Sequence, residues 1–180
     1  GHYRIPLVYG NAIKNGNDNP SSYKTSNTGT YILSTFKDHL NHDITNPWIE
    51  KSNTANANID GAKIVWADEK NLVTSPTITH VGGDGYLDFE VKQSDIKSGN
   101  AVVAVTKGGT VVWSWHLWFA PKSALNKIEV TNHQGVKYNF TEETLGWKPK
   151  GEVTTYTAPR TVKVKVEQTI ANGGVKQITV

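Results

Sequence analysis

Apolar and polar residues alternate with a period of two along several short runs, the pattern of β-strands with one buried and one wet face. The strongest is a pair of β-branched and aromatic runs, Ala101 to Thr106 and Thr110 to Phe119, separated by Lys107-Gly108-Gly109. Glycines supply the positive φ that so tight a reversal needs, so the two runs are predicted to form a hairpin. In the second run Val111, Trp113, Trp115, Leu117 and Phe119 share one face. That face is purely apolar and is expected to line the core of a central strand. Val112, Ser114, His116 and Trp118 share the other. A second hairpin is predicted from Thr161 to Ile170 and from Val175 to Val180, where Val162, Val164 and Val166 alternate with Lys163, Lys165 and Glu167 around the turn Ala171-Asn172-Gly173-Gly174.

Further strands are predicted at Tyr3 to Tyr9, Lys63 to Ala67, Leu72 to His80, Tyr86 to Val91 and Lys127 to Val130, each bounded by Gly, Asn, Asp or Pro turn chemistry. Leu33, Phe36 and Leu40 fall at helical spacing, which predicts one short helix over Tyr31 to Asn41. The stretches Asn11 to Thr30 and Lys51 to Asp60 carry no period and read as surface loops. About eight short strands with at most one short helix specify an all-β fold, a β-sandwich of immunoglobulin-like or transthyretin-like type. The expected organisation is one domain over residues 1–180, the alternative being a smaller second β unit from about residue 122.

Composition narrows the function. With 180 residues, 37% hydrophobic, the chain is long enough to bury a full core. A net charge of +3 comes from lysines dispersed among acids, with arginine only at Arg4 and Arg160, which is a poor footprint for nucleic acid. No apolar stretch is long enough to span a bilayer. The absence of cysteine excludes a disulfide framework, a thiolate metal site and a cysteine nucleophile. Gly1-His2 at the start, in place of a methionine, reads as a mature, trimmed or excised piece.

Catalytic chemistry is thin. No nucleophile elbow, zinc-helix histidine pair or phosphate loop is present. Ser114 and His116 share a strand face, but side chains two apart stand ~6 to 7 Å from one another, too far for a nucleophile and its base. His116 is therefore expected to be structural, largely buried and bonded to a carbonyl or a polar side chain. Asp84, Asp88 and Glu90 group three acids around one strand, and a calcium site or a glycosidase pair could be built from them. A solvated strand face has the same pattern. The sequon Asn139-Phe140-Thr141 matters only in a cell that glycosylates asparagine. No catalytic, metal-binding or cofactor-binding residue is assigned, and no cofactor is expected. Of six tryptophans, Trp48, Trp66, Trp118 and Trp147 lie off the apolar face and are candidates for a ligand or assembly surface. Val175, Ile178 and Val180 at the chain end join them as candidates for pairing with another subunit.

The run Gly99-Asn100-Ala101-Val102-Val103-Ala104-Val105 with Val112-Trp113-Ser114-Trp115-His116-Leu117-Trp118 resembles surface-protein modules of gut Bacteroidetes. So do Tyr3-Arg4-Ile5-Pro6-Leu7-Val8-Tyr9-Gly10-Asn11-Ala12, Ala62-Lys63-Ile64-Val65-Trp66, Leu145-Gly146-Trp147 and Ala158-Pro159-Arg160-Thr161-Val162-Lys163-Val164. These modules are fimbrillin-like and adhesion proteins. The resemblance implies β-sandwich domains, export as outer-membrane lipoproteins and a cell-surface location. It also implies partners that are other subunits or copies joined by strand addition, with a host or glycan ligand as a further partner. The function expected is non-enzymatic adhesion or fimbria-like assembly. The alternative is a carbohydrate-binding module of a glycan-acquisition system, and an uncharacterised hydrolase is third.

Overall fold

The computed structural model describes residues 1–148 and the backbone of residues 163–166 and 176–179. The fold is all-β. Contacts divide the chain into two units, Gly1–Pro149 and Lys150–Val180, so the stretch after residue 122 belongs with the first unit as far as Pro149.

Two three-stranded antiparallel sheets make the body of the first unit. One has β1 (His2–Pro6) and β5 (Thr74–Val81) on either side of β6 (Asp84–Glu90). The other has β4 (Gly61–Ala67) and β8 (Thr110–Phe119) on either side of β7 (Gly99–Lys107). Leu87 and Phe89 from the first sheet, Val91 just after it, and Ala101, Val103 and Val105 from the second are buried in a single cluster with Leu7, Ile49, Ile59 and Leu72. Each fully buried Leu or Ile contributes about 1.5 to 3 kcal/mol by leaving water, so this shared inner layer is what holds the sheets together. Period-two alternation is visible in β6, where buried Leu87 and Phe89 lie between the half-buried Tyr86, Asp88 and Glu90.

Besides four short 3-10 turns, the described part of the unit has three small elements. Residues Ile13–Lys14 and Asn17–Asp18 form a minimal hairpin, β2 and β3. A four-residue helix, α1 (Ile49–Ser52), lies partly within the stretch expected to be loop. Strands β9 (Lys127–Thr131) and β10 (Lys137–Thr141) pair only with each other. In the second unit β11 (Lys163–Val166) and β12 (Lys176–Thr179) pair antiparallel, Lys163 opposite Thr179, inside the C-terminal hairpin predicted from the alternation.

Residues 31–41 are not helical. Asp38 turns its carboxylate back onto its own backbone, where Oδ1 accepts the amides of Leu40 at 2.9 Å and His42 at 2.8 Å. Asn41 then adopts a positive φ of 66°, and Lys37 bridges Asp43. An Asp that caps local amides offers the chain an alternative to helix, and here the alternative wins. Leu33, Phe36 and Leu40 are left exposed instead of lying on a sheet. The same Asp38 holds the following segment: Asn56, fully buried, donates Nδ2 to Asp38 Oδ2 and to the Tyr9 hydroxyl, both at 3.2 Å.

Val111 is also corrected. The β7–β8 register runs Val105 to Trp113 and then Thr106 to Val111, so Val112 is an extra residue in β8. A bulge of this kind breaks the two-residue period. Val112 turns into the core and Val111 is exposed, while Trp113, Trp115, Leu117 and Phe119 stay half-buried against the core.

Candidate functional site

Every open sheet has two free edges, and they differ here in how they are protected. On one flank β4 and β5 are the outermost strands. The register of β4 shifts between Ile64 and Trp66, and that of β5 between Thr74 and Thr77, where Pro76 follows Ser75 at a φ of 52°. Bulges and prolines spoil an edge as a template for another strand. The opposite flank is formed by β1 and β8. Strand β1 is short, carries Arg4 and ends at Pro6. Strand β8 is ten residues long with no Lys, Arg, Asp, Glu or Pro, and beyond the bulge at Val112 its register is unbroken to Phe119. Among the described residues, its outer edge makes no backbone pairing with another strand.

Between these two edges lies an apolar hollow of about 290 Å³ lined by Tyr3, Phe89, Val91, His116, Leu117, Trp118 and Phe119. Tyr3 and Phe89, opposite each other in the β1–β6 register, stack with ring centroids 5.5 Å apart. The hollow contains no carboxylate, lysine or arginine.

The outer face of the β8 sheet carries the aromatic residues singled out from the sequence. Register puts Trp66, Val102 and His116 in one row, with Trp118 in the next row beside Asn100. Asn100 organises this end. Its amide N and Nδ2 donate to Asp68 at 2.7 and 2.9 Å, Nδ2 also donates to the Gly146 carbonyl at 2.9 Å, and Oδ1 lies 2.7 Å from His116 Nε2. With both Nδ2 protons and the oxygen assigned, His116 must donate from Nε2. Trp118 Nε1 donates to the Trp147 carbonyl at 2.8 Å, and Lys148 pairs with Glu69, which Lys97 also approaches at 3.1 Å. Burial acts to raise the Asp68 carboxyl, but the two Asn100 bonds and the Lys148 charge hold it below its ordinary value. Hydrogen bonding from Lys148 likewise lowers Glu69.

Residues 144–148 are thus clamped onto the sheet by the Leu145-Gly146-Trp147 motif. Gly146 sits at a φ of 81°, and a Cβ there would come 3.3 Å from His116 Cε1. Gly146→Ala is expected to cost about 1 to 2 kcal/mol and to loosen this segment alone. Faster amide exchange at Trp147 with an unchanged β7 would register it.

His116 is exposed, not buried as expected: among the described residues only Asn100 and the 144–148 turn lie over it. Trp66 and Trp147 are 52% and 55% exposed, whereas Trp118 is half-buried. Trp48 lies apart from them. It packs against the core and edge-on to Tyr86, 6.0 Å between centroids, with the Lys51 ammonium 5.2 Å from its ring. Ile178 lies in β12 opposite Val164, while Val175 and Val180 fall outside the described residues.

The acids of β6 are engaged separately. Asp84 pairs with Lys51 at 2.5 Å, and Asp88 accepts Arg4 Nε and Nη2 at 2.6 and 3.0 Å and Thr79 at 2.7 Å. Bonding to Arg4 lowers the Asp88 carboxyl and raises the guanidinium. Among the described residues no three His, Asp or Glu side chains come together as a metal site. The unbroken edge of β8 was readable in the sequence as a long uncharged strand; that the edge would be free was not, since it depends on which strands pair. Compared with known proteins, the chain matches no family model, no curated protein and no solved structure.

Proposed function

We propose that this chain is a non-enzymatic cell-surface module for adhesion or fimbria-like assembly, and that an extended strand of another subunit adds to the free edge of β8. The observation that carries the reading is the long, uncharged, unbulged stretch of β8 from Trp113 to Phe119 beside an apolar hollow, on a molecule whose opposite flank is guarded by bulges and Pro76. An incoming strand would satisfy the backbone groups of β8 and lay alternate side chains over Tyr3, Phe89 and Leu117, the two components of recognition by strand addition. The resemblance to fimbrillin-like surface proteins of Bacteroidetes supports the same reading, and with it export to the outer membrane in a lipid-anchored precursor.

Lysine on an edge strand is a natural guard against pairing. Ser114 is exposed on β8, so Ser114→Lys is expected to abolish filaments or oligomer ladders in electron microscopy and sizing, without altering the thermal midpoint. Ladders that survive Ser114→Lys, or a parent that stays monomeric at all concentrations, would count against strand addition.

A second reading is favoured by one observation, the half-exposed rings of Trp66 and Trp147 on the face that also presents Ser114 and His116. Such rings stack sugars, as a carbohydrate-binding module requires. Titration calorimetry against cell-wall and host glycans tests it: binding lost in both Trp66→Ala and Trp147→Ala would move the assignment to glycan recognition.

A further inference from the structure

Residues 127–141 form a two-stranded ribbon with a sharply divided surface. Register pairs Phe140 with Ile128 and Tyr138 with Val130 on one face, and Lys137 with Thr131, Asn139 with Glu129 and Thr141 with Lys127 on the other. The turn is closed by Asn132, whose side chain accepts the amides of Gln134 and Val136 at 2.9 Å, and Gly135 takes a φ of 77°. On the polar face Lys137 pairs with Glu129 at 2.7 Å. On the other face nothing polar intervenes, yet Ile128, Val130, Tyr138 and Phe140 are 51%, 47%, 48% and 56% exposed. Among the described residues neither strand pairs with any but its neighbour.

A lone two-stranded ribbon is at best marginally stable in water, and a third layer over its apolar face is what normally holds it. We infer that this face is a homotypic contact, packed against the same face of a second copy of the chain about a two-fold axis. Three features select a second copy. The face is uncharged, so bringing two of them together opposes no like charges, and the polar residues of both ribbons remain outward. Aromatic and β-branched side chains alternate across it as pairs, which suits the interdigitation of two sheets ~10 Å apart. With Val136 included, the exposed area is roughly 500 Å² per copy, so a two-fold pair that buries all of it reaches about 1,000 Å², the lower limit for a specific contact and the range of reversible ones. In such a pair each residue i meets j and each j meets i. This contact does not depend on strand addition at β8.

Sedimentation equilibrium of the full chain is expected to show a reversible dimer forming between micromolar and about millimolar concentration. The double variant Ile128→Thr with Phe140→Thr should weaken it at least about tenfold. Phe140→Leu, which keeps the face apolar, should retain it, and this control separates loss of the face from loss of the ribbon. The chain has no cysteine, so single cysteines report cleanly. Val130→Cys should give a disulfide-linked dimer under mild oxidation, while Asn139→Cys on the opposite face should not. Ser114→Lys should leave this cross-link intact whether or not β8 accepts a strand. A chain that remains monomeric throughout, equal cross-linking at the two positions, or a Val130→Cys cross-link lost in Ser114→Lys would overturn the homotypic contact.

Discussion

Trp113→Ala is expected to destabilise the sandwich by about 3 kcal/mol, the lower end of the range for deleting a large aromatic from a packed site. Trp113 is half-buried, not fully enclosed, so part of the vacated space fills with solvent instead of remaining a void. What it loses is nonetheless substantial. Its ring stands edge-on to Tyr9 with centroids 4.9 Å apart, and Tyr9 is the point where the segment after β1 meets the β8 sheet. Edge-to-face pairs add about 0.5 to 1.5 kcal/mol beyond the area they bury. For a chain of this size the midpoint of thermal unfolding should fall by about 6 °C or more. A midpoint within about a degree or two of the parent would mean that Trp113 does not pack against the core.

Asp38→Ala is expected to cost about 3 kcal/mol, through a different mechanism. The Asp38 side chain is 1% exposed and accepts the amides of Leu40 and His42 as well as Asn56 Nδ2. Removing the carboxylate strands those donors and leaves Tyr9 as the one hydrogen-bond partner of the Asn56 side chain among the described residues. Burial acts to raise the Asp38 carboxyl, but these hydrogen bonds outweigh it and hold the group below its ordinary value of 3.8. A depressed carboxylate contributes stability that is complete above the unfolded value and is lost as pH falls through the folded one. The gap in unfolding free energy between parent and Asp38→Ala should therefore be constant near neutrality and shrink below about pH 4. Tyr9 gives the alkaline counterpart. Burial, with the Asp38 charge, pushes its hydroxyl up to about 12, so its contribution is present below pH 10.0 and lost as pH rises through the folded value. Denaturant unfolding as a function of pH measures both limbs, and a parent-to-variant gap that does not narrow in acid would contradict the role assigned to Asp38.

The alternation of Tyr86 to Glu90 and of Trp113 to Phe119 was enough to identify strands and their inner faces, because burial on one side of a sheet imposes a period of two. It failed where one residue breaks that period. Val112 is inserted opposite β7, and no local feature of Thr110 to Phe119 distinguishes a bulge from a continuous strand. The helix expected at residues 31–41 failed for a related reason: three apolar residues at helical spacing carry no information once Asp38 caps its own turn and the side chains find no sheet to cover. Strand β10 carries the same signal although no strand is expected there: Lys137, Tyr138, Asn139, Phe140 and Thr141 alternate as plainly as β9.

The candidate surface was legible in its residues and not in its geometry. Trp66, Trp118 and Trp147 lie on one face only because β4 and β8 flank β7 and because Asn100 and Trp118 draw in a turn 46 and 29 residues away. Trp48 belongs elsewhere, since its bridge to Val8 places it beside β1 and β6. Such long-range pairings are invisible to a reading by local pattern. The free edge of β8 is of the same kind, a consequence of strand order.

Strand addition at β8 is tested most directly by amide hydrogen exchange at residues 113–119 in dilute monomer and in concentrated, oligomeric protein. In the monomer the amides of β8 that are not bonded to β7 have no backbone partner among the described residues and should exchange rapidly, while Val103 and Val105 in the central strand are protected. On assembly those outward amides should slow by at least about tenfold with Val103 and Val105 unchanged, because a new strand satisfies them without disturbing the old ladder. Unchanged exchange along all of 113–119 in a sample that sizing shows to be larger than a dimer would contradict strand addition at this edge.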